Sequence, residues 1–178
     1  QGELLMTPMQ AAGEIAAVAN GGVFHRPYYV NRIVKSDGQL LYQGKPETLS
    51  RVQLKDTTWT IIREGLRSVV QEGTGQAAKI AGAEIYGKTS TAQNPQGKDH
   101  AWFVAYATIN NEPSRIAVAV LVEHGQRGSS SAAPIAKAVI EAALRAELPS
   151  RARPAPSPAL PQGQKLLLPP ATHTLGVL

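Results

Sequence analysis

The chain has 178 residues, 43% of them hydrophobic, enough to bury a core and to exclude a wholly disordered polypeptide. It has no cysteine, which excludes disulfides, thiolate catalysis and Cys-ligated metals. Its formal charge of +5 is split unevenly, with three uncompensated cations in residues 149–178 and +2 on residues 1–148, too little clustering for a nucleic-acid surface.

Thr7-Pro8-Met9-Gln10 predicts a helix start, with Thr7 as cap, Pro8 at the first helical position and Gln10 completing a capping box. Ala12, Ile15, Ala16 and Ala19 keep helical spacing, and Asn20-Gly21-Gly22 ends the helix. Tyr28 to Lys35 and Gln39 to Tyr42 flank Asp37-Gly38, a hairpin signal. Residues 53–71 predict a second helix, with Leu54, Thr58, Ile61, Ile62, Leu66, Val69 and Val70 on one stripe, closed by Gly73-Thr74-Gly75. Three strands are expected next, at Glu84 to Gln93, Ala101 to Ala107 and Arg115 to Val122. The last two are apolar on both faces and read as central and buried, and the short Thr108–Ser114 connection favours an antiparallel pair. A final helix, Ala132 to Leu148, should bury Ile135, Val139, Ile140 and Ala143 and expose Lys137, Glu141 and Arg145.

From residue 149 the composition changes. Seven of the last 30 residues are proline and none is acidic, so 149–178 is expected to be a disordered tail beside a folded unit at 1–148. No apolar run reaches the length of a membrane span; the longest, Ile116 to Val122, is strand-length. The chain starts at Gln1 rather than Met, as expected either of a processed product or of a fragment whose N-terminal part lies elsewhere.

Gly82-Ala-Glu-Ile-Tyr-Gly87-Lys88-Thr89 literally satisfies the phosphate-binding pattern G-x-x-x-x-G-K-[ST]. That loop needs a helix opening at Lys88, whereas Asn94-Pro95 and Gly97 downstream favour a turn. Nucleotide binding is therefore the alternative reading. On a strand, the same Lys88-Thr89-Ser90-Thr91 places residues 89 and 91 on one face and 88 and 90 on the other. Two hydroxyls can then grip a carboxylate, an ammonium adds positive potential, and an edge amide can serve an oxyanion. A Lys-Thr/Ser-Gly triplet of this kind is one signature of serine acyl-transferases acting on penicillin and D-alanyl peptides.

Several blocks follow in order. Gln1-Gly2-Glu3-Leu4-Leu5-Met6-Thr7-Pro8-Met9-Gln10 with Ala19-Asn20-Gly21-Gly22, then Gly73-Thr74-Gly75, Gly87 to Gln93, Asn94 to Val104, and Ala132-Ala133-Pro134-Ile135-Ala136 together resemble class B penicillin-binding proteins of the elongation type. The resemblance spans residues 1 to about 146. It implies an α+β fold, the C-terminal portion of the serine β-lactamase/D,D-transpeptidase-like architecture. It implies a catalytic role for Lys88 and substrate contacts by Thr89, Ser90 and Thr91, with the Thr91 amide in the oxyanion hole. Ser90 stands where the family carries glycine.

The activity implied for the intact protein is D,D-transpeptidation of peptidoglycan stem peptides, with β-lactams as acylating inhibitors. It implies no cofactor and no metal. Its setting would be the outer face of the bacterial inner membrane, anchored outside this chain, beside a cell-elongation glycosyltransferase and membrane partners. None of the serines is followed three residues on by lysine, and there is no Ser-x-Asn, so the nucleophile is absent and the chain alone is expected to be inactive. A remnant that keeps the fold without the chemistry is a further alternative. His25, His100, His124 and His173 have no metal-ligand spacing. Asp99-His100 and Glu123-His124-Gly125 read as turn structure, and Trp102, Phe103 and Tyr106 as core.

Overall fold

The computed structural model describes residues 4–109, 112–114 and 116–147; the proline-rich segment from residue 149 lies outside these. The elements are α1 (Pro8–Ala19), β1 (Val23–His25), β2 (Arg32–Val34), β3 (Leu40–Gln43), β4 (Thr48–Arg51), α2 (Asp56–Gln71), β5 (Glu84–Ala92), β6 (His100–Thr108), β7 (Ile116–Val122) and α3 (Ala133–Glu147). A 3-10 turn at Gln76–Ala78 precedes β5, and a π turn at Gly128–Ala132 leads into α3.

Helix α1 starts as its sequence predicts. The Thr7 hydroxyl accepts from the Gln10 amide at 3.3 Å, and the Gln10 side chain accepts from the Thr7 amide at 2.8 Å. Its end requires glycine. Gly22 has φ +94°, and a Cβ there would stand 2.2 Å from the Val52 carbonyl oxygen.

The centre of the fold is an antiparallel sheet of order β5-β6-β7. Register pairs Gly87 with Ala105, Lys88 with Val104 and Thr89 with Phe103, and on the other side Phe103 with Val120. One sheet face carries Ile85, Ala101, Phe103, Ala105, Ala107 and Val118 into a core with Val70, Ala78, Ala132, Ala133, Ala136 and Ile140. Phe103 is fully buried, and its ring fills the place of a side chain at Gly87: a Cβ there would meet Phe103 Cζ at 2.6 Å. Helix α1 packs on β6 and β7, and its buried Ala11 and Ile15 belong to the opposite face.

Two further ribbons, β1–β4 and β2–β3, are antiparallel pairs. The second is the expected hairpin, with its first strand shortened to Arg32–Val34 and its return strand shifted by one residue to Leu40–Gln43. The first was not legible, because strands of three and four residues carry no usable alternation.

The structure corrects four burial and boundary readings. Helix α2 begins at Asp56, three residues later than the stripe suggested, after an extended Lys55. Its stripe is only partly covered: Val70 is buried, whereas Leu54 and Ile61 are exposed, Ile61 to 72%. Helix α3 turns Ala133, Ala136 and Ile140 to the sheet, since alanines permit close approach, so Ile135 and Val139 stay exposed instead of buried. Strand β7 lies at the sheet edge among the described residues, with only Val118 buried, and is not central.

The two glycines Gly65 and Gly87 make opposite tests of this packing. Gly65 lies exposed within α2 with nothing within 4 Å of an added Cβ. Gly65→Ala should raise stability by about 0.5–1 kcal/mol. Gly87→Ala should lower it by about 1–3 kcal/mol, through overpacking against Phe103. Urea unfolding midpoints at constant slope measure both.

Tyr106 offers a second check. It is buried and stacks on Tyr86 with ring centroids 4.6 Å apart. Burial, and then the neighbouring Tyr86, push its phenol from 10.0 up to about 12, against the opposing pull of Arg63. The unfolded chain releases this proton near pH 10 and the folded chain holds it to about 12. The contribution to stability is therefore complete below pH 10 and lost across pH 10–12. Unfolding curves over that range should show the loss, and Tyr106→Phe should reduce it.

Candidate active site

Strand β5 alternates as its two-residue period demands. Ile85 and Gly87 are buried, while Lys88 and Ser90 are exposed on the other face and Thr89 and Thr91 are half-buried. No strand pairs with the outer side of β5 among the described residues, so every second backbone amide and carbonyl there lacks a strand partner. The Lys88 ammonium donates to the Thr89 carbonyl at 2.6 Å, curling toward that open side.

Lys88, Thr89, Ser90 and Thr91 therefore lie on one short stretch of edge strand. The ammonium of Lys88 and the hydroxyl of Ser90 stand on the exposed face, and the Thr89 and Thr91 hydroxyls follow Ile85 and Gly87 on the face that is locked into the core. Ser90 has room for its hydroxymethyl group, being exposed.

The phosphate-loop reading of Gly82–Thr89 fails on the same geometry. Lys88 is the fifth residue of a nine-residue strand, and no helix opens there. Gly82 has φ +79° and turns the chain into β5.

A residue outside the four expected ones joins them. The Thr74 hydroxyl lies 2.6 Å from the Thr89 hydroxyl. Gly73-Thr74-Gly75 reads in sequence as a helix stop and as one block of the family resemblance, without a side-chain role for Thr74, and its glycine pair signals that the backbone there packs closely. Helix α2 is also tied to the start of β5 by an ion pair of Arg67 Nε to Glu84 Oε2 at 2.6 Å; that carboxylate raises the Arg67 pKa.

The far end of the strand is held by a hydrogen-bonded latch. The His124 amide donates to His100 Nδ1 at 2.9 Å, and the Gln126 amide to the Asp99 carbonyl at 2.8 Å. The Asp99 carboxylate accepts from the Asn94 amide at 3.2 Å, and Ser131 Oγ donates to the Gly125 carbonyl at 2.6 Å. These bonds support two left-handed residues, His124 at φ 56° and Gln126 at φ 64°. The next segment runs tight against β5. A Cβ on Gly128 would meet the Trp102 carbonyl oxygen at 2.2 Å and that of Ser90 at 2.8 Å. Asp99 and His124 thus act in the connections, as their sequence positions suggest, whereas His100 is the first residue of β6 and not part of a turn. No group of three or more His, Cys, Asp or Glu able to hold a metal occurs among the described residues.

A groove of about 640 Å³ lies elsewhere, between Gly21, Arg51, Trp59 and Arg63, and none of Lys88, Thr89, Ser90 or Thr91 lines it. Along β5, Lys88 and Ser90 are exposed, and Thr89 and Thr91 half-buried.

Comparison with known proteins accords with this arrangement. Residues 1–141 match the family described as penicillin binding protein transpeptidase domain. A relative from Mycolicibacterium smegmatis, named peptidoglycan D,D-transpeptidase PbpA, is 35% identical over 82% of this chain and 30% of its own length. The structure of penicillin-binding protein A from M. tuberculosis as an imipenem acyl-enzyme complex superposes with a TM-score of 0.69 at 33% identity, covering 81% of this chain and 32% of that one. PBP2 of Pseudomonas aeruginosa gives 0.65 at 38% identity, over 81% and 32%. The chain thus spans about a third of the length of the relatives it matches. Over its described sheet and helices it has their α+β architecture, and it belongs to the penicillin-binding protein transpeptidase family.

Proposed function

We propose that this chain contributes one wall of the active site of a peptidoglycan D,D-transpeptidase, of the type that serves cell elongation. The observation that carries this reading is the edge strand. Lys88 and Ser90 face one way and Thr89 and Thr91 the other, on a strand whose outer side has no neighbour among the described residues.

In the proposed reaction, a serine outside this chain attacks the carbonyl between two terminal D-alanines of a stem peptide. An ester bond forms, the peptide bond breaks, and the departing D-alanine amine takes a proton. An amine of a neighbouring stem then attacks the ester, which releases the serine and forms the cross-link. Lys88 stabilises negative charge near the nucleophile and holds a hydroxyl that relays its proton. The Thr89 and Thr91 hydroxyls bind the terminal carboxylate, beside the exposed Ser90. The open amide of Thr91 donates to the developing oxyanion.

A β-lactam enters the same site, since its carboxylate and strained amide mimic the acyl donor. Support comes from relatives named as D,D-transpeptidases and from neighbours solved as penicillin G and imipenem acyl-enzymes. Those names lend nothing to a remnant without chemistry. No described helix is long and apolar enough to cross a membrane. The extracytoplasmic setting, the anchor and the glycosyltransferase partner belong to this proposal through the family alone.

Labelling with a fluorescent penicillin tests the reading. The 178-residue chain should remain unlabelled, and the polypeptide extended upstream to include a Ser-x-x-Lys should form a stable adduct. In that longer protein Lys88→Ala should slow acylation by about 10²-fold or more. A covalent adduct on the 178 residues alone, or full-rate acylation of the Lys88→Ala variant, overturns it.

A further inference from the structure

We infer that Thr74 is a positioning residue for the carboxylate-binding strand: its hydroxyl donates to the Thr89 hydroxyl and so directs the Thr89 proton to the ligand. This rests on the reading of β5 proposed above and deepens it.

The two hydroxyl oxygens are 2.6 Å apart, at the short end of the range for an O–H···O bond. Each hydroxyl has one proton and two lone pairs, so with no ligand present either one can donate. A bound carboxylate removes that freedom. It accepts only, so Thr89 must donate its single proton to it. The bond between the threonines then survives in one direction alone, with Thr74 as donor. The result is a chain running from Thr74 through Thr89 to the carboxylate, in which each bond polarises the next.

Thr74 is held where this requires. The Gly73 amide donates to the Ser68 carbonyl at 3.0 Å and the Gly75 amide to the Val69 carbonyl at 2.8 Å. Both glycines are needed for space. A Cβ on Gly73 would meet Val69 Cα at 2.9 Å, and one on Gly75 would meet Val69 Cγ1 at 3.1 Å and Phe103 Cε2 at 3.3 Å. Phe103 is the same ring that fills the space at Gly87, two residues before Thr89. The turn and the strand are therefore both seated on one buried side chain. Thr74 itself is exposed, so its hydroxyl has no packing role to confuse with the bond it makes.

The test is a double-mutant cycle in the longer, acylation-competent protein, with benzylpenicillin as probe. Thr89→Val serves as the reference for the strand itself. Thr74→Val should weaken acylation efficiency by about three- to tenfold, the range of one lost hydrogen bond. The loss should fall on the apparent dissociation constant more than on the maximal acylation rate, since the hydroxyl chain holds a group that does not react. Thr74→Ser, which keeps the hydroxyl, should restore efficiency. In a Thr89→Val background, Thr74→Val should have no further effect. Equal losses from Thr74→Val in both backgrounds, or no rescue by serine, overturn the inference while leaving the strand's role intact. An unimpaired Thr89→Val variant overturns both.

Discussion

The two-residue period of β5 is the constraint on which the rest of this molecule depends. A strand must send successive side chains to opposite faces. Here that rule separates two incompatible tasks. Ile85 and Gly87 commit one face to the core, where Phe103 occupies the space glycine leaves. Lys88 and Ser90 stand on the other face, in contact with solvent. Thr89 and Thr91 continue the face that Ile85 and Gly87 bury, half-buried beyond the core, and Phe103 with the alanines of α3 immobilises that face. Pairing with β6 sets the height of Lys88 along the edge, and the Gly73–Gly75 turn brings Thr74 to the same height from the other side.

Much of this was readable from residues alone, for identifiable reasons. The capping box of α1 is a local signal, and local signals survive into the structure. The three long strands carry runs of β-branched and aromatic residues bounded by turn signals, and the order Gly-Lys-Thr-Ser-Thr fixes which side chains share a face. What was not readable is long-range. Whether Ile135 or Ile140 is buried depends on which side of α3 meets the sheet, and small residues at Ala133 and Ala136 decided it through close approach. The β1–β4 pair joins residues more than twenty positions apart, with no periodicity to announce it. Thr74 was visible only as part of a turn, because its significance lies in a contact across fifteen positions of sequence.

The exposed apolar residues belong to the same picture. Ile61, Ile135 and Val139 lie outside the core on helices that are otherwise well formed, Leu54 is exposed just before α2, and β7 leaves an apolar strand edge without a strand partner among the described residues. A chain that matches about a third of its relatives' length contains surfaces suited to a larger body. Such edges template further pairing, and this makes the isolated chain prone to self-association.

Gly87 has a consequence for how such a site can change over generations. Substitution there must displace an aromatic ring from the centre of the core, so that position has almost no freedom to drift. One step along the chain, the exposed neighbours of the same strand can be exchanged without disturbing the fold. Variation is therefore channelled: the core resists it at Gly87, while exposed Ser90 on the other face of the ribbon can change without repacking Phe103.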